Sequence, residues 1–155
     1  MNEERENFMR LALSQARQAA DSGAVPVGGV IVRGGEVIAS ACNRREADGD
    51  ATAHAETMAI RQACRKLGTW RLSDCTLYVT LEPCLMCAGA IFNSRIGTVV
   101  FGARDRAAGA MGGVLDVFQE DFGFSPRVYG GVLEKECTKV LRDFFAGVRK
   151  EKDTH

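Results

Sequence analysis

The chain has 155 residues, 46% hydrophobic and 26% charged, enough for one real core and too few for two comfortable ones, so residues 1–155 read as a single domain. Twenty basic and twenty acidic side chains leave no formal net charge, which excludes indiscriminate nucleic-acid binding through bulk charge but leaves room for a local basic patch. No run of about eighteen apolar residues marks a membrane span. Met1-Asn2-Glu3-Glu4-Arg5-Glu6 lacks the basic start and apolar core of a secretion signal. The expectation is a cytoplasmic protein whose six cysteines are reduced thiols and metal ligands.

In chain order, Glu3 to Asp21 predicts an amphipathic helix with Phe8, Leu11, Ala12, Ala16, Ala19 and Ala20 on one stripe. Gly23 stops it and Pro26 forbids its continuation. Val27 to Val32 and Glu36 to Cys42 read as antiparallel strands joined through Arg33-Gly34-Gly35. The polar stretch Asn43 to Asp50 reads as a loop. Thr52 then predicts an N-cap for a helix from Ala53 to about Leu67, closed by Gly68, which puts His54 and Glu56 in its first turn.

Cys75 to Leu81 alternates as a strand does, with Leu77, Val79 and Leu81 on one face. Pro83 suits the first position of another helix, on whose start Cys84 and Cys87 share a face. A strand from Thr98 to Phe101, a Gly/Ala-rich loop from Gly102 to Gly113, a short helix within Val114 to Asp121 and a last strand from Arg127 to Val132 follow. The closing helix, about Glu134 to Lys150, carries Cys137, Val140, Leu141, Phe144, Phe145 and Val148 at helical spacing. Strands alternating with helices predict an α/β fold: a three-layer α/β/α sandwich around a central mixed five-stranded sheet.

Chemistry concentrates in His54-Ala55-Glu56 and Pro83-Cys84-Leu85-Met86-Cys87. One imidazole and two thiolates suit zinc better than magnesium or calcium. Structural zinc sites close with four protein ligands, whereas catalytic sites use three and keep a position open. The other histidine, His155, ends the chain, and Cys42, Cys64, Cys75 and Cys137 lie far from the cluster in sequence. Three ligands with Glu56 beside them as a general acid/base therefore point to catalysis, against a zinc knot that only staples the fold. Basic residues lie at Arg44 and Arg45 and along the C-terminal segment at Lys139, Arg142, Arg149, Lys150 and Lys152. The latter alternate with Glu134, Glu136, Asp143 and Glu151 as a solvated helix face does.

H-x-E with a downstream P-C-x-x-C is the signature of zinc-dependent nucleobase deaminases. Further blocks narrow the resemblance: Val25-Pro26-Val27-Gly28, Tyr78 through Ala90, Ser94-Arg95-Ile96-Gly97, Val99 through Asp105, and Asp143-Phe144-Phe145. Over nearly its whole length the chain resembles the bacterial tRNA adenosine deaminases of the cytidine deaminase-like superfamily, which convert the wobble adenosine of an anticodon to inosine.

That resemblance implies one zinc per subunit on His54, Cys84 and Cys87, supplying hydroxide near neutral pH for attack on C6 of adenine. It makes Glu56 the carrier that takes the water's proton, delivers it to N1 and protonates the departing ammonia. It also implies that the Ala55 N–H bonds at the reacting centre, Asn43 contacts the purine edge and Val27 packs on the flipped base. Asp105, Phe145 and Arg149 would meet the anticodon loop of the tRNA, across a homodimer whose packing Ala88, Gly89 and Ala90 would permit. Plainer readings stand beside these: an asparagine after a strand serves a turn, and Val27, Phe145 and the small residues serve a core. One departure from the family pattern is Phe124-Ser125-Pro126, where many relatives carry an asparagine-histidine pair; Arg44-Arg45-Glu46 also fits loosely. A deaminase of a free base or nucleotide (guanine, cytosine, dCMP) and a non-catalytic zinc-stabilised binding module are the competing functions.

Overall fold

The structure, a computed structural model, describes residues 2–153, with side chains as far as residue 150. His155 lies outside the described residues, as do the side chains of Glu151 and Lys152. The elements run α1 (Asn2–Asp21), β1 (Gly28–Arg33), β2 (Glu36–Cys42), α2 (Arg45–Asp48), α3 (Ala55–Leu67), β3 (Cys75–Leu81), α4 (Leu85–Ser94), β4 (Thr98–Ala103), β5 (Arg127–Tyr129) and α5 (Glu134–Asp153). A single 3₁₀ turn, Val117–Gln119, precedes β5.

The five strands form one mixed sheet in the order β2-β1-β3-β4-β5. β1 is antiparallel to both β2 and β3, while β3, β4 and β5 run parallel. Gly34 and Gly35, both at positive φ (57° and 79°), make the tight β1–β2 turn, and a bulge between Ile31 and Val32 shifts the register once. Both faces of the sheet are covered, as the buried runs of β1 and β3 require. Ile31, Leu77, Val79, Val99 and Phe101 pack with Ala59, Ala63, Ala88 and Ile91 of α3 and α4. Val30, Val32, Tyr78 and Val100 pack with Met9, Ala12, Leu13 and Cys137 of α1 and α5. This is the expected three-layer α/β/α sandwich. Gly28 lets α1 lie directly on β1, because a Cβ there would overlap the Ala12 carbonyl oxygen and the Ala16 nitrogen.

Several local expectations change. The buried stripe of α1 runs through Met9, Ala12, Leu13, Ala16 and Ala19, and Leu11 faces solvent. Periodicity places a stripe only to within about one residue when the helix holds apolar residues on two adjoining faces. Asn43 to Asp50 is not all loop: α2 makes one turn, held by Arg44 on Asp48 at 2.9 Å. The segment 114–121 keeps only a 3₁₀ turn, capped by Asp116 accepting the Phe118 N–H. β5 is shorter than expected, since Gly130 and Gly131 turn the chain toward α5. Among the described side chains of α5 only Cys137 is buried; Val140, Leu141, Phe144 and Val148 are half-buried and Phe145 is exposed.

Candidate active site

The starts of α3 and α4 converge at one end of the sheet. His54 and Cys84 are the N-cap residues of these two helices, both extended in φ and ψ, and neither caps its own helix with its side chain. This shifts two boundaries from expectation. Thr52 is not the cap of α3; its N–H and hydroxyl both donate to Asp50 (2.8 and 2.7 Å) in a preceding turn. Pro83 stands before the cap of α4, not within its first turn. With no side-chain cap hydrogen bond to make, both side chains are free to be ligands. The first-turn N–H groups then lie close by without intrahelical partners.

The imidazole and the two thiols meet. His54 Nδ1 lies 3.6 Å from Cys84 Sγ and 3.5 Å from Cys87 Sγ, and the three ligand atoms fall within 4.8 Å of one another. Tetrahedral zinc, with Zn–S about 2.3 Å and Zn–N about 2.0–2.1 Å, requires N···S separations of about 3.5–3.6 Å. The two N···S distances match those one zinc would set, and no fourth donor joins the three among the described residues. Cys87 is fully buried and the other two are half-buried. Without a metal, the Cys87 thiol hydrogen-bonds to Cys84 and pulls the Cys84 thiol down to about 4. The same contact, with burial, drives Cys87 upward. Hydrogen bonding to Cys84 raises His54. Cys84 alone is held toward the thiolate by its neighbours; Cys87 and His54 are shifted toward keeping a proton, which a bound cation would have to displace.

Glu56, the second residue of α3, is 3% exposed. Burial pushes its carboxyl above the ordinary range, against the lowering effect of its backbone hydrogen bond and of the Cys87 thiol. It opens on a cavity of ≈ 160 Å³ lined by His54, Ala55, Cys84, Val27, Asn43 and Asp105, together with Val25, Arg45, Leu81, Glu82 and Ala108. All the expected site residues except Cys87, Phe145 and Arg149 therefore line one pocket. Cys87 reaches the same point from beneath, as a metal ligand would. Ala55 opens α3, so its N–H belongs to the unsatisfied first turn.

Asn43 does two things. Its Nδ2 donates to Val25 O at 3.2 Å and its Oδ1 accepts from Arg45 N at 3.1 Å. It thus ties the segment before β1 to the start of α2, as the turn reading holds. One amide hydrogen and one oxygen lone pair remain for a base. Val27 is half-buried, packs on the core and also lines the cavity, one residue before β1. Asp105 is fixed at the rim, its Oδ1 accepting from Ala107 and Ala108 N–H at 2.9 and 3.1 Å.

Phe145 and Arg149 stand apart from the pocket lining, on the exposed side of α5, where Phe145 packs edge-on against Phe144 at 5.4 Å. Phe124 lies against Phe92 and Arg95, not in the cavity. Two polar lining residues were given no site role by sequence: Arg45, marked there only as one of a basic pair two residues after Asn43, and Glu82, whose signal was an acidic residue directly before Pro-Cys at a buried strand end.

Residues 2–103 match the cytidine and deoxycytidylate deaminase zinc-binding region family. The tRNA-specific adenosine deaminase of Bacillus subtilis (strain 168) is 49% identical over 148 residues, which are 95% of this chain and 92% of that protein. A solved structure from work on A-to-I editing by tRNA:A34 deaminases at the wobble position superposes with a TM-score of 0.82 at 45% identity, over 87% of this chain and 99% of the other. A Bacillus subtilis guanine deaminase structure is 42% identical with a TM-score of 0.61, over 64% of each chain.

Proposed function

The chain belongs to the cytidine and deoxycytidylate deaminase zinc-binding family and, within it, to the tRNA-specific adenosine deaminases; on that premise we propose how its site converts wobble adenosine to inosine, with release of ammonia. The carrying observation is the three-donor cluster of His54, Cys84 and Cys87 beside the buried Glu56 carboxylate, with His54, Cys84 and Glu56 lining one cavity. A knot that merely stapled the fold would need neither the open position nor the buried acid.

His54, Cys84 and Cys87 would hold the zinc, which when bound would lower the pKa of water to about 7 and so supply the nucleophile for C6. The remaining work belongs to the protein. Glu56 takes the water's proton and gives it to ring N1, then takes the proton of the new C6 hydroxyl and gives it to the amino group as the C–N bond breaks and ammonia leaves. The Ala55 N–H, at the positive end of α3, donates at the reacting centre. Asn43 uses its free hydrogen and lone pair on the purine edge, and Val27 presses on the base. A cavity of ≈ 160 Å³ takes a flipped base and leaves ribose and phosphate at the rim. There Asp105 meets the neighbouring nucleotide, while exposed Phe145 and Arg149 on α5 lie along the splayed loop.

The active unit we propose is a homodimer of single-domain subunits in the cytoplasm. Leu85 and Phe122, 60% and 51% exposed, flank an apolar recess with Ala88, Gly89 and Phe92 on the outer side of α4. A charge at Leu85 should shift sedimentation to the monomer. Among the described residues no helix is long and apolar enough to cross a membrane.

Inosine formation on an anticodon stem-loop with wobble adenosine tests the assignment, with free adenosine, guanine, cytidine and dCMP run alongside. Product from the stem-loop alone is the expected result; turnover of a free base instead would move the enzyme to the guanine-deaminase side of the family.

A further inference from the structure

We propose that Glu82 is a positioning residue: its buried carboxylate pins the loop carrying Asp105 onto the turn that carries the metal ligands, and so sets the rim of the base pocket. The inference rests on the deaminase reading, because the rim matters only if a nucleotide sits there.

Glu82 directly follows β3, two residues before Cys84, with a fully buried side chain. Its Oε1 accepts the Asp105 N–H at 3.1 Å, and its Oε2 accepts those of Met111 and Gly113, both at 2.9 Å. The Arg104 guanidinium stands 3.6 Å from Oε1. Three amides spread over nine residues of one loop thus converge on a single carboxylate. Hydrogen bonds to an ionised acceptor are about twice as strong as neutral ones. The loop is also stitched to the ligand turn directly, with Ala110 N–H on Pro83 O at 2.9 Å and a bridge between Cys84 and Gly109. Gly109 and Gly113 leave the carboxylate its room, since a Cβ at Gly109 would overlap Oε2 and one at Gly113 would stand 2.7 Å from Oε1.

None of these contacts reaches the proton chemistry of Glu56. They determine where the Asp105 backbone lies, and Asp105 and Ala108 form that wall of the cavity. A neutral Gln keeps one acceptor and sets an NH₂ against at least one of the three N–H groups, so the loop should loosen while the sheet stays intact.

The test compares the zinc-loaded parent, Glu82→Gln, Asp105→Ala and the double variant, first by amide hydrogen exchange and then by steady-state kinetics. Exchange needs no substrate: Asp105, Met111 and Gly113 amides should exchange at least ten-fold faster in Glu82→Gln, with β3 and β4 amides unmoved. In kinetics, KM for the RNA should rise about ten-fold while kcat falls less than two-fold. The double variant should then be no worse than about two-fold beyond the weaker single one, as for residues acting in one chain of contacts. Parental exchange in the loop, exchange quickened equally across the sheet, or additive losses would each overturn the proposal. The kinetic cycle uses whichever substrate the parent turns over, so a wrong tRNA assignment appears in the parent and a wrong role for Glu82 appears only in the comparison. If Glu82→Gln does not fold, Glu82→Asp, which keeps the carboxylate but shortens its reach to the three N–H groups, carries the same test.

Discussion

Replacing Glu56 by Gln keeps the shape of the side chain and removes its ability to carry a proton. A positioned acid/base contributes about 10²–10⁴ in rate, and here one carboxylate serves water, N1 and the leaving amine in turn. The upper end applies: kcat should fall by about 10⁴, or roughly 5.4 kcal/mol at about 1.36 kcal/mol per decade. Stability should move the other way. Glu56 is 3% exposed and its carboxyl is raised by burial. Raising the folded value above the unfolded one means the charged form opposes folding at neutral pH, and a neutral amide removes that penalty. The metal-free variant should therefore melt at or above the parent's temperature. Single-turnover inosine formation, zinc content by mass spectrometry and a thermal melt measure the three quantities. A Gln variant that kept a tenth of the rate with zinc bound would refute the proton-carrier role. One that lost zinc along with activity would make Glu56 a prop for the metal.

Cys87→Ser removes one of three donors, and the purified chain should hold less than ~0.1 zinc per subunit after dialysis, against one for the parent, measured by mass spectrometry. Gly28→Ala drives a methyl into the α1 backbone at Ala12 and Ala16; it should destabilise by about 1–3 kcal/mol and lower Tm by about 3–10 °C with zinc content intact. Cys75 and Cys137 are 1% exposed, with thiols pushed up by burial to about 11 and about 12. Both should resist iodoacetamide at pH 8 in the folded zinc-loaded protein, read by peptide mass spectrometry. Prompt labelling would reveal local opening at these two positions.

Most of the architecture was legible because its signals are local. The Gly34-Gly35 turn, the apolar runs of β1 and β3, and Gly68 as the left-handed cap of α3 each announce one element from a few residues. What escaped was set by contacts distant in the chain. Thr52 looks like a cap, yet Asp50 takes both of its donors. Leu11 belongs to the apolar side of α1 by spacing, yet the surface that α1 meets is β1 at Gly28, which selects the stripe through Ala12 and Ala16. On α5, spacing alone could not separate Phe144 from Phe145. That distinction depends on which face α5 turns toward α1: Phe144 lines a recess with Arg17 and Ala20, whereas Phe145 is exposed.

The site divides along the same line. Ligand identity is chemical and local, so His54, Cys84, Cys87 and Glu56 could be read from residue type and spacing. Their backbone state could not, and it matters. As N-caps, His54 and Cys84 leave the first-turn N–H groups of α3 and α4 directed at the cluster, where they favour thiolate and developing negative charge. Asn43 follows the same logic: the amide suited to reading a purine is also the one that joins Val25 to α2. Its replacement by Asp would keep the acceptor toward Arg45 and lose the donor toward Val25, shifting the pocket wall together with the base contact. A mutation there reports both roles at once, which is why the separable variants, Glu56→Gln for the chemistry and Glu82→Gln for the rim, are the informative ones.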